Sequence, residues 1–379
     1  MSKSRFLQTK FWADFKALHG WTSYFFTLKN GTFVLESNFL KNTLSENCFN
    51  EKNQNLEEKN LSVLVRSFSV KVKKFSLAYI PMAPEFLDNQ STENYLLEIK
   101  KISEQIKNFL PKDTIYIRFD LPIDFETLGN RDSFTKELLS LAKKNSFNLK
   151  KSKVSIQPPD TTILNLRQSE DKILSNMKSK WRYNIRLAKK KNVEIIRLDY
   201  SSPNFETYFD EFYKLFKTTS ERDKVSFHNK SYYLDLFKQN ELTQEKSKEN
   251  PKIYLYLAKH ENDYLAGIIT LFCDFEAVYL YGASGNLKRN LMPSYILQWT
   301  AIQDAKKFNC PVYDFYGMPP NDDKSHPMHG LYLFKTGFGG KIIHRPGSFD
   351  AVLKPCFYKI YSLAEKFRAF YFKILRKKI

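Results

Sequence analysis

Short strand-like runs of apolar and β-branched residues open the chain, at Thr22 to Leu28, Thr32 to Glu36, Leu61 to Val70 and Phe75 to Ile80. An amphipathic stretch from Asn94 to Leu110, a strand at Ile115 to Phe119 and a helical pattern from Ser133 to Lys144 follow. The polar segment Ser45 to Asn60 reads as an exposed loop, and Lys151 to Pro159 leads out of this half. The second half runs in a similar order: a basic helix, a strand at Val193 to Leu198, and helices at Asn204 to Thr219 and Ser231 to Lys238. Strands at Ile253 to Lys259, Tyr264 to Phe272 and Ala277 to Ala283 come next, then a helix from Pro293 to Phe308 and a strand at Val312 to Phe315. Helices, an antiparallel meander and a strand-helix-strand unit make the order of a mixed α/β domain, met loosely twice without an alignable internal repeat.

The densest signal lies in Met177 to Glu194, MKSKWRYNIRLAKKKNVE. Ile173, Met177, Trp181, Ile185 and Ala188 form one helical stripe that can face a core, and Ser169, ahead of Glu170 and Asp171, suits its N-terminal cap. From Lys172 to Lys191 there are eight Lys or Arg residues and no acid, a face that attracts a polyanion such as a phosphate backbone. In the tail, Ile360, Leu363, Phe367, Tyr371 and Ile374 keep helical spacing among Lys359, Lys366, Arg368, Lys373 and Arg376 to Lys378. This reads as a basic amphipathic helix, which either packs its stripe onto the body of the protein or lies on an anionic membrane surface.

With 379 residues, 42% hydrophobic and 16% aromatic, the chain has material for two domain cores and is not disordered. A formal net charge of +19 points to an acidic partner such as RNA, a nucleotide-linked substrate or an anionic membrane. Only 13 of the 60 basic residues are Arg, so a bias toward Lys, Asn, Phe and Ile is the competing account of the total. Cys48, Cys273, Cys310 and Cys356 lack CxxC spacing, which indicates neither a zinc site nor a disulfide framework and fits a reducing compartment. The opening MSKSRFLQTKFW lacks a signal-peptide core, and no window has the ~18 apolar residues of a membrane span, so a cytoplasmic protein is expected.

Phe6-Leu7-Gln8 with Trp12, Lys16 and Gly20-Trp21 opens a set of motifs that extends over nearly the whole chain. Gln157-Pro158-Pro159 with Thr161, then Met177, Arg182, Asn184-Ile185-Arg186, Ala188, Lys190 and Val193, form a central group. Tyr281-Gly282-Ala283-Ser284, Pro293-Ser294-Tyr295, Tyr313 to Gly317 and Gly330 to Gly340 complete it. In this order they resemble the Fem family of nonribosomal peptidyltransferases, which attach amino acids from aminoacyl-tRNA to the peptide stem of peptidoglycan precursors. The resemblance implies two tandem GNAT-like (N-acyltransferase) domains, mixed sheets flanked by helices, over residues 1–155 and 156–340, with 341–379 returning to the first. Between Phe216 and Lys252 there is no room for the long helical arm of some members, so no coiled-coil arm is expected.

Ordinary GNAT enzymes cradle the pyrophosphate of coenzyme A on a glycine-rich turn. The corresponding Ser284 to Pro293 is poor in glycine, which with the basic helix favours a donor held by charge, such as aminoacyl-tRNA. By resemblance, Lys335 with Phe334 before it takes the position that stabilises the transition state or the tRNA end. Spacing alone reads Phe334 as a core aromatic and Lys335 as a strand-edge charge. Arg222, followed by Tyr232-Tyr233, matches the family's arginine for the precursor diphosphate; Lys16 matches an N-terminal lysine of similar role, or is a solvated helix position. Tyr281 falls where the family places a tyrosine near the acceptor peptide, and also where a buried strand tyrosine would fall. Asp314 either orients a hydroxyl or amine or caps the Tyr316-Gly317 turn.

Lys180, Arg182, Arg186, Lys189 and Lys190 are the tRNA-binding candidates, and Tyr233 joins Arg222 as a substrate-binding one. His326 and His329 have no third ligand nearby and read as loop residues, His329 being an active-site contact if it has a role; no metal and no cofactor is implied.

The expected reaction is transfer of an amino acid from aminoacyl-tRNA to the side-chain amine of the diamino acid in a peptidoglycan precursor pentapeptide, lipid-linked or UDP-linked. A monomer is expected, with peripheral contact at the inner face of the cytoplasmic membrane through the tail helix. Aminolysis of an activated ester needs positioning and oxyanion stabilisation, so the lack of a Ser/His/Asp or Cys/His set fits. Two readings compete: a GNAT-like N-acyltransferase using acyl-CoA or acyl carrier protein on another amine, and a non-catalytic RNA-binding protein, for which no RRM or KH aromatic signature is present.

Overall fold

A computed structural model of the protein describes residues 5–29, 31–39, 60–70, 73–244 and 251–375. The expected loop over Ser45 to Asn60, except Asn60 itself, lies outside the described residues, as do Cys48 and Arg376 to Lys378. The chain forms two compact units, one from residues 12–159 and 345–375, the other from 5–11 and 160–344. Residues 5–11 thus group with the second unit, a long-range assignment with no local signal.

In the first unit, α1 (Lys10–Leu18) precedes the hairpin of β1 (Thr22–Lys29) and β2 (Thr32–Phe39), followed by β3 (Asn60–Val70) and β4 (Lys73–Ile80). α2 (Thr92–Ile106) crosses to β5 (Thr114–Asp120), then come α3 (Leu128–Lys144) and β6 (Leu149–Lys151). Ser91 and Thr127 cap α2 and α3, accepting from the amides of Asn94 at 3.2 Å and Asn130 at 3.1 Å. α2 buries Tyr95, Leu96, Ile99, Ile102 and Ile106 against Val63, Val65, Ala78 and Ile117 of the sheet. The seven strands run β2-β1-β3-β4-β5, then Ser348–Val352 from much later in the chain, then β6; only β4 and β5 are parallel.

The second unit contains β7 (Asp160–Asn165), α4 (Glu170–Asn176), α5 (Ser179–Lys190), β8 (Glu194–Leu198), α6 (Phe205–Asp223) and α7 (Lys230–Gln244). β9 (Lys252–His260), β10 (Asp263–Phe272), β11 (Ala277–Ser284), α8 (Pro293–Lys307), β12 (Val312–Asp314), α9 (His329–Thr336) and β13 (Lys341–His344) follow. Its seven strands run β13-β7-β12-β11-β10-β9-β8, again with one parallel pair, β11 and β12, bridged by a helix. The mixed sheets flanked by helices agree with the expected fold class. The chain re-enters the first unit with β14 (Ser348–Val352) and α10 (Pro355–Leu375).

Three expectations are corrected. The basic helix is not continuous: Met177 is extended, separating α4, capped by Ser169, from α5. Ile173, Met177, Trp181, Ile185 and Ala188 are all buried despite the break. Arg182 explains the join, donating to the freed carbonyls of Ser175 at 3.2 Å and Met177 at 2.5 Å. Lys335 sits on helix α9, not at a strand edge.

In the tail, the first of the two readings, packing of the stripe onto the body, is corrected: the stripe faces outward, Ile360 being 68%, Leu363 52% and Phe367 65% exposed; nothing is described of the Tyr371 and Ile374 side chains. Phe357, Tyr358 and Tyr361 make the docking face instead, against Phe68, Phe75 and Tyr116. Their advantage is polar as well as apolar, since the Tyr358 hydroxyl donates to Asp350 at 2.9 Å. Among the described residues, no helix is long and apolar enough to cross a membrane, and no cluster of His, Cys, Asp or Glu is suited to a metal ion.

Candidate functional site

The two parallel pairs differ. β4 stays paired to β5 up to Ile80 and Phe119, at the strand ends. β11 and β12 pair only at Ala277 with Tyr313 and Val278 with Asp314, after which they part. β11 continues to Ser284 along β10, while the chain beyond Asp314 follows β7, the amides of Phe315 and Met318 donating to Thr162 and Asp160 at 3.0 Å each. A splayed pair exposes backbone groups and side chains in the middle of a sheet, where rigid elements can hold a ligand.

Lys335 closes the base of this splay. It is 5% exposed, and its Nζ donates to the carbonyls of Phe315 at 2.6 Å, Tyr316 at 3.3 Å and Gly317 at 2.8 Å. The same nitrogen lies 5.0 Å from the centre of the Tyr279 ring on β11, so it spans both arms. Burial pulls the ammonium down to about 7, opposed by the nearby Asp314 carboxylate. Tyr316 holds a left-handed φ of 59°, strained for a residue with a Cβ. Three groups hold it there: Lys335, the Thr161 hydroxyl donating to its carbonyl at 3.1 Å, and Asp314 accepting from its amide at 2.7 Å. Asp314 therefore braces the turn. Phe334 packs edge-on against Tyr295 and Phe338, with ring centroids 5.3 Å apart in each pair.

On the other arm, the β10 register slips between Ile269 and Thr270, leaving Leu280 as a bulge between Tyr279 and Tyr281. The Tyr279 hydroxyl folds over Gly282, where a Cβ would lie only 1.8 Å away, so glycine alone fits. Tyr281 meets Tyr233 edge-on at 5.0 Å and shares a hydrogen bond with Tyr232. Burial holds the Tyr281 phenol well above its usual range and that of Tyr233 at about 12, so both are neutral donors near pH 7. Sequence reading missed Tyr279, a site role for Tyr232 and the bracing role of Thr161; for Tyr279, two tyrosines two positions apart on one strand were the available signal.

Arg222, in the last turn of α6, points at the end of β11. Its Nη1 donates to the carbonyls of Ser284 at 3.0 Å and Gly285 at 3.4 Å and to Asn286 Oδ1 at 3.2 Å, while Nε and Nη2 form a fork on Asp223 at 2.8 and 2.9 Å. In this structure its donors fasten the turn after β11. On α5, Lys180, Arg186, Lys189 and Lys190 are exposed with Tyr183 among them, whereas Arg182 is engaged at the α4 join. Lys16, in the first unit, is ringed by Trp12, Phe15 and Trp21 at 5.8 to 6.0 Å, and burial, with Arg66 second, lowers it to about 8. His329 begins α9 and contacts Asp322 at 2.5 Å.

A family model described as the FemAB family matches residues 1–246 and 238–366. A lipid II:glycine glycyltransferase of Staphylococcus haemolyticus is 25% identical over 337 residues, 73% of this chain and 76% of that protein. One from Staphylococcus aureus is 25% identical over 268 residues, 55% of this chain and 62% of its own length, so the match leaves more than a third of it uncovered. One from Staphylococcus saprophyticus reaches 37% identity over 100 residues, 26% of this chain and 24% of that protein. The crystal structure of FemX has the same fold, with a TM-score of 0.71 over 95% of each chain at 19% identity. With the model matched almost from end to end and the tandem mixed sheets in place, this chain belongs to the FemAB family.

Proposed function

We propose that the chain transfers an amino acid from aminoacyl-tRNA to a side-chain amine of a peptidoglycan precursor, building the interpeptide bridge. Its relatives are named for glycyl transfer to lipid II, which supports acyl transfer to an amine and makes glycine and a lipid-linked acceptor the first pair to test. The observation that carries the reading is the splay of β11 from β12 with the buried Lys335 cation across it.

In the reaction the acceptor's neutral amine attacks the ester carbonyl. A C–N bond forms, the ester C–O bond breaks, and the ribose oxygen of the tRNA leaves with the proton that the amine gives up. Charge builds on the carbonyl oxygen, and stabilising it is the enzyme's main task. We assign this to Lys335, acting through its field, which low polarity around it strengthens. Its bonds to residues 315–317 fix the strained turn at the same time. Phe334 locks α9 by packing. Tyr281 and Tyr233, with Asp314 behind the turn, line the acceptor peptide's side; Arg222 shapes the turn after β11 for the precursor's diphosphate. Lys16 on α1 is a further candidate for binding the precursor. Lys180, Arg186, Lys189 and Lys190 hold the tRNA backbone, and Arg182 keeps their helix in place.

Incubating the protein with radiolabelled glycyl-tRNA and lipid-linked or UDP-linked pentapeptide should move label into the precursor. No transfer to either acceptor from any aminoacyl-tRNA by folded protein, together with a thermal shift on adding coenzyme A, would overturn this reading in favour of an acyl-CoA-dependent enzyme.

A further inference from the structure

We propose that the outward stripe of α10, Ile360, Leu363 and Phe367, docks on an anionic lipid surface. The three side chains follow one another at three and four positions and are each more than half exposed, so they form a continuous apolar line along the helix. The opposite face is occupied: Tyr358, Tyr361 and Glu365 turn toward the first sheet, where Glu365 accepts from Arg118 at 3.1 and 3.3 Å. That guanidinium also forks onto Asp350 at 2.7 and 2.9 Å, so the helix is held by a buried ion network as well as by aromatic packing.

The charge distribution selects the occupant. Glu365 is the only acid in α10, and it points inward. Lys359 is exposed beside the stripe, and the sequence adds Lys366, Arg368 and Lys373 to the same helix. An apolar line with Lys359 exposed beside it, on a helix whose sequence is rich in cations and whose only carboxylate faces away, complements a bilayer interface with anionic headgroups: the apolar side chains enter the headgroup boundary and the cations stay at its charged level. Such docking would bring the chain to a lipid-linked acceptor, but it stands apart from the reaction assigned above and needs no turnover to be tested.

The test is co-sedimentation of the full chain with phosphatidylcholine vesicles, with and without phosphatidylglycerol. The wild type should bind only the anionic vesicles. Ile360→Ser/Phe367→Ser should bind about tenfold less or weaker, as expected when two large apolar side chains no longer leave water. Its melting temperature should match the wild type, because neither side chain supports the fold. Equal binding by the double variant would overturn the proposal by assigning attachment to net charge alone. Absence of wild-type binding to anionic vesicles would overturn it outright, and so would a wild-type dimer that the double variant dissociates, since a second copy would then cover the stripe.

Discussion

The Trp181 indole nitrogen donates to the Phe334 carbonyl at 2.9 Å, joining the basic helix α5 to the helix that carries Lys335. Gly337 lies beneath the same ring, where a Cβ would fall 2.2 Å from it, and its carbonyl accepts from the Lys178 amide at 2.9 Å. Trp181→Phe keeps a ring but deletes the donor, and should cost about 1–2 kcal/mol in urea unfolding. Gly337→Ala should cost about 1–3 kcal/mol by overpacking. If both variants unfold at the wild-type midpoint, the joint is not rigid.

Lys335 should leave a signature in pH dependence. Burial lowers its folded value to about 7, below the unfolded 10.5, so the folded state sheds this proton first. Its contribution to stability is therefore complete above pH 10.5 and is lost as pH falls toward 7. Lys335→Met should flatten the rise in urea midpoint between about pH 7 and about pH 9.5. Transfer should show the opposite limb, falling as the ammonium deprotonates above about 7, and the variant's residual activity should lack it. Identical limbs in both proteins would assign the titration to another group.

Arg222→Lys retains charge but loses the guanidinium geometry that lets Nη1 hold the turn after β11 while Nε and Nη2 stay forked on Asp223. Transfer should drop about tenfold or more. Thr219 grips the same turn, its hydroxyl accepting from the Ser284 amide at 2.9 Å. If Arg222 acts by shaping the turn, Thr219→Val should lower kcat in the same way; a rise in acceptor KM confined to Arg222→Lys would instead mean direct contact with the acceptor.

The exposed side of α5 should reveal itself through salt. Each of Lys180, Arg186, Lys189 and Lys190 changed to Gln should reduce the slope of log affinity against log salt by about 0.7–0.9 if it meets a phosphate. Tyr183, 57% exposed among them, is placed to stack on a base, and Tyr183→Ala should cost about 1–3 kcal/mol of tRNA binding without changing that slope. Unchanged slopes in all four variants would return the cluster to compositional bias.

Elements whose periodicity is complete within one segment are legible in the sequence, among them β3, β4, α2 and the β9 to β11 meander. The break between α4 and α5 is not, because Ile173, Met177 and Trp181 stay in phase across it; the bond that opens it comes from Gly337. α9 is hidden for a related reason, its run HGLYLFKT having neither a clean two-residue nor a clean helical period. The identities of Lys335 and Arg222 can be read by resemblance. What they touch cannot, since the Phe315 carbonyl is 20 positions from Lys335 and the Ser284 carbonyl 62 from Arg222.

Strand β14 is inserted between β5 and β6, the antiparallel partner of both. Ser348 donates to the buried Asp120, and Asp350 neutralises Arg118. Ser348 and Asp350 leave the ribosome only after residues 160–344 of the second unit. During synthesis β5 and β6 emerge early and have to wait, each with a vacant edge, and two buried charges have to stay hydrated until their partners arrive. The unit translated first is therefore completed last, and its open sheet is the surface that holding chaperones would meet during biogenesis.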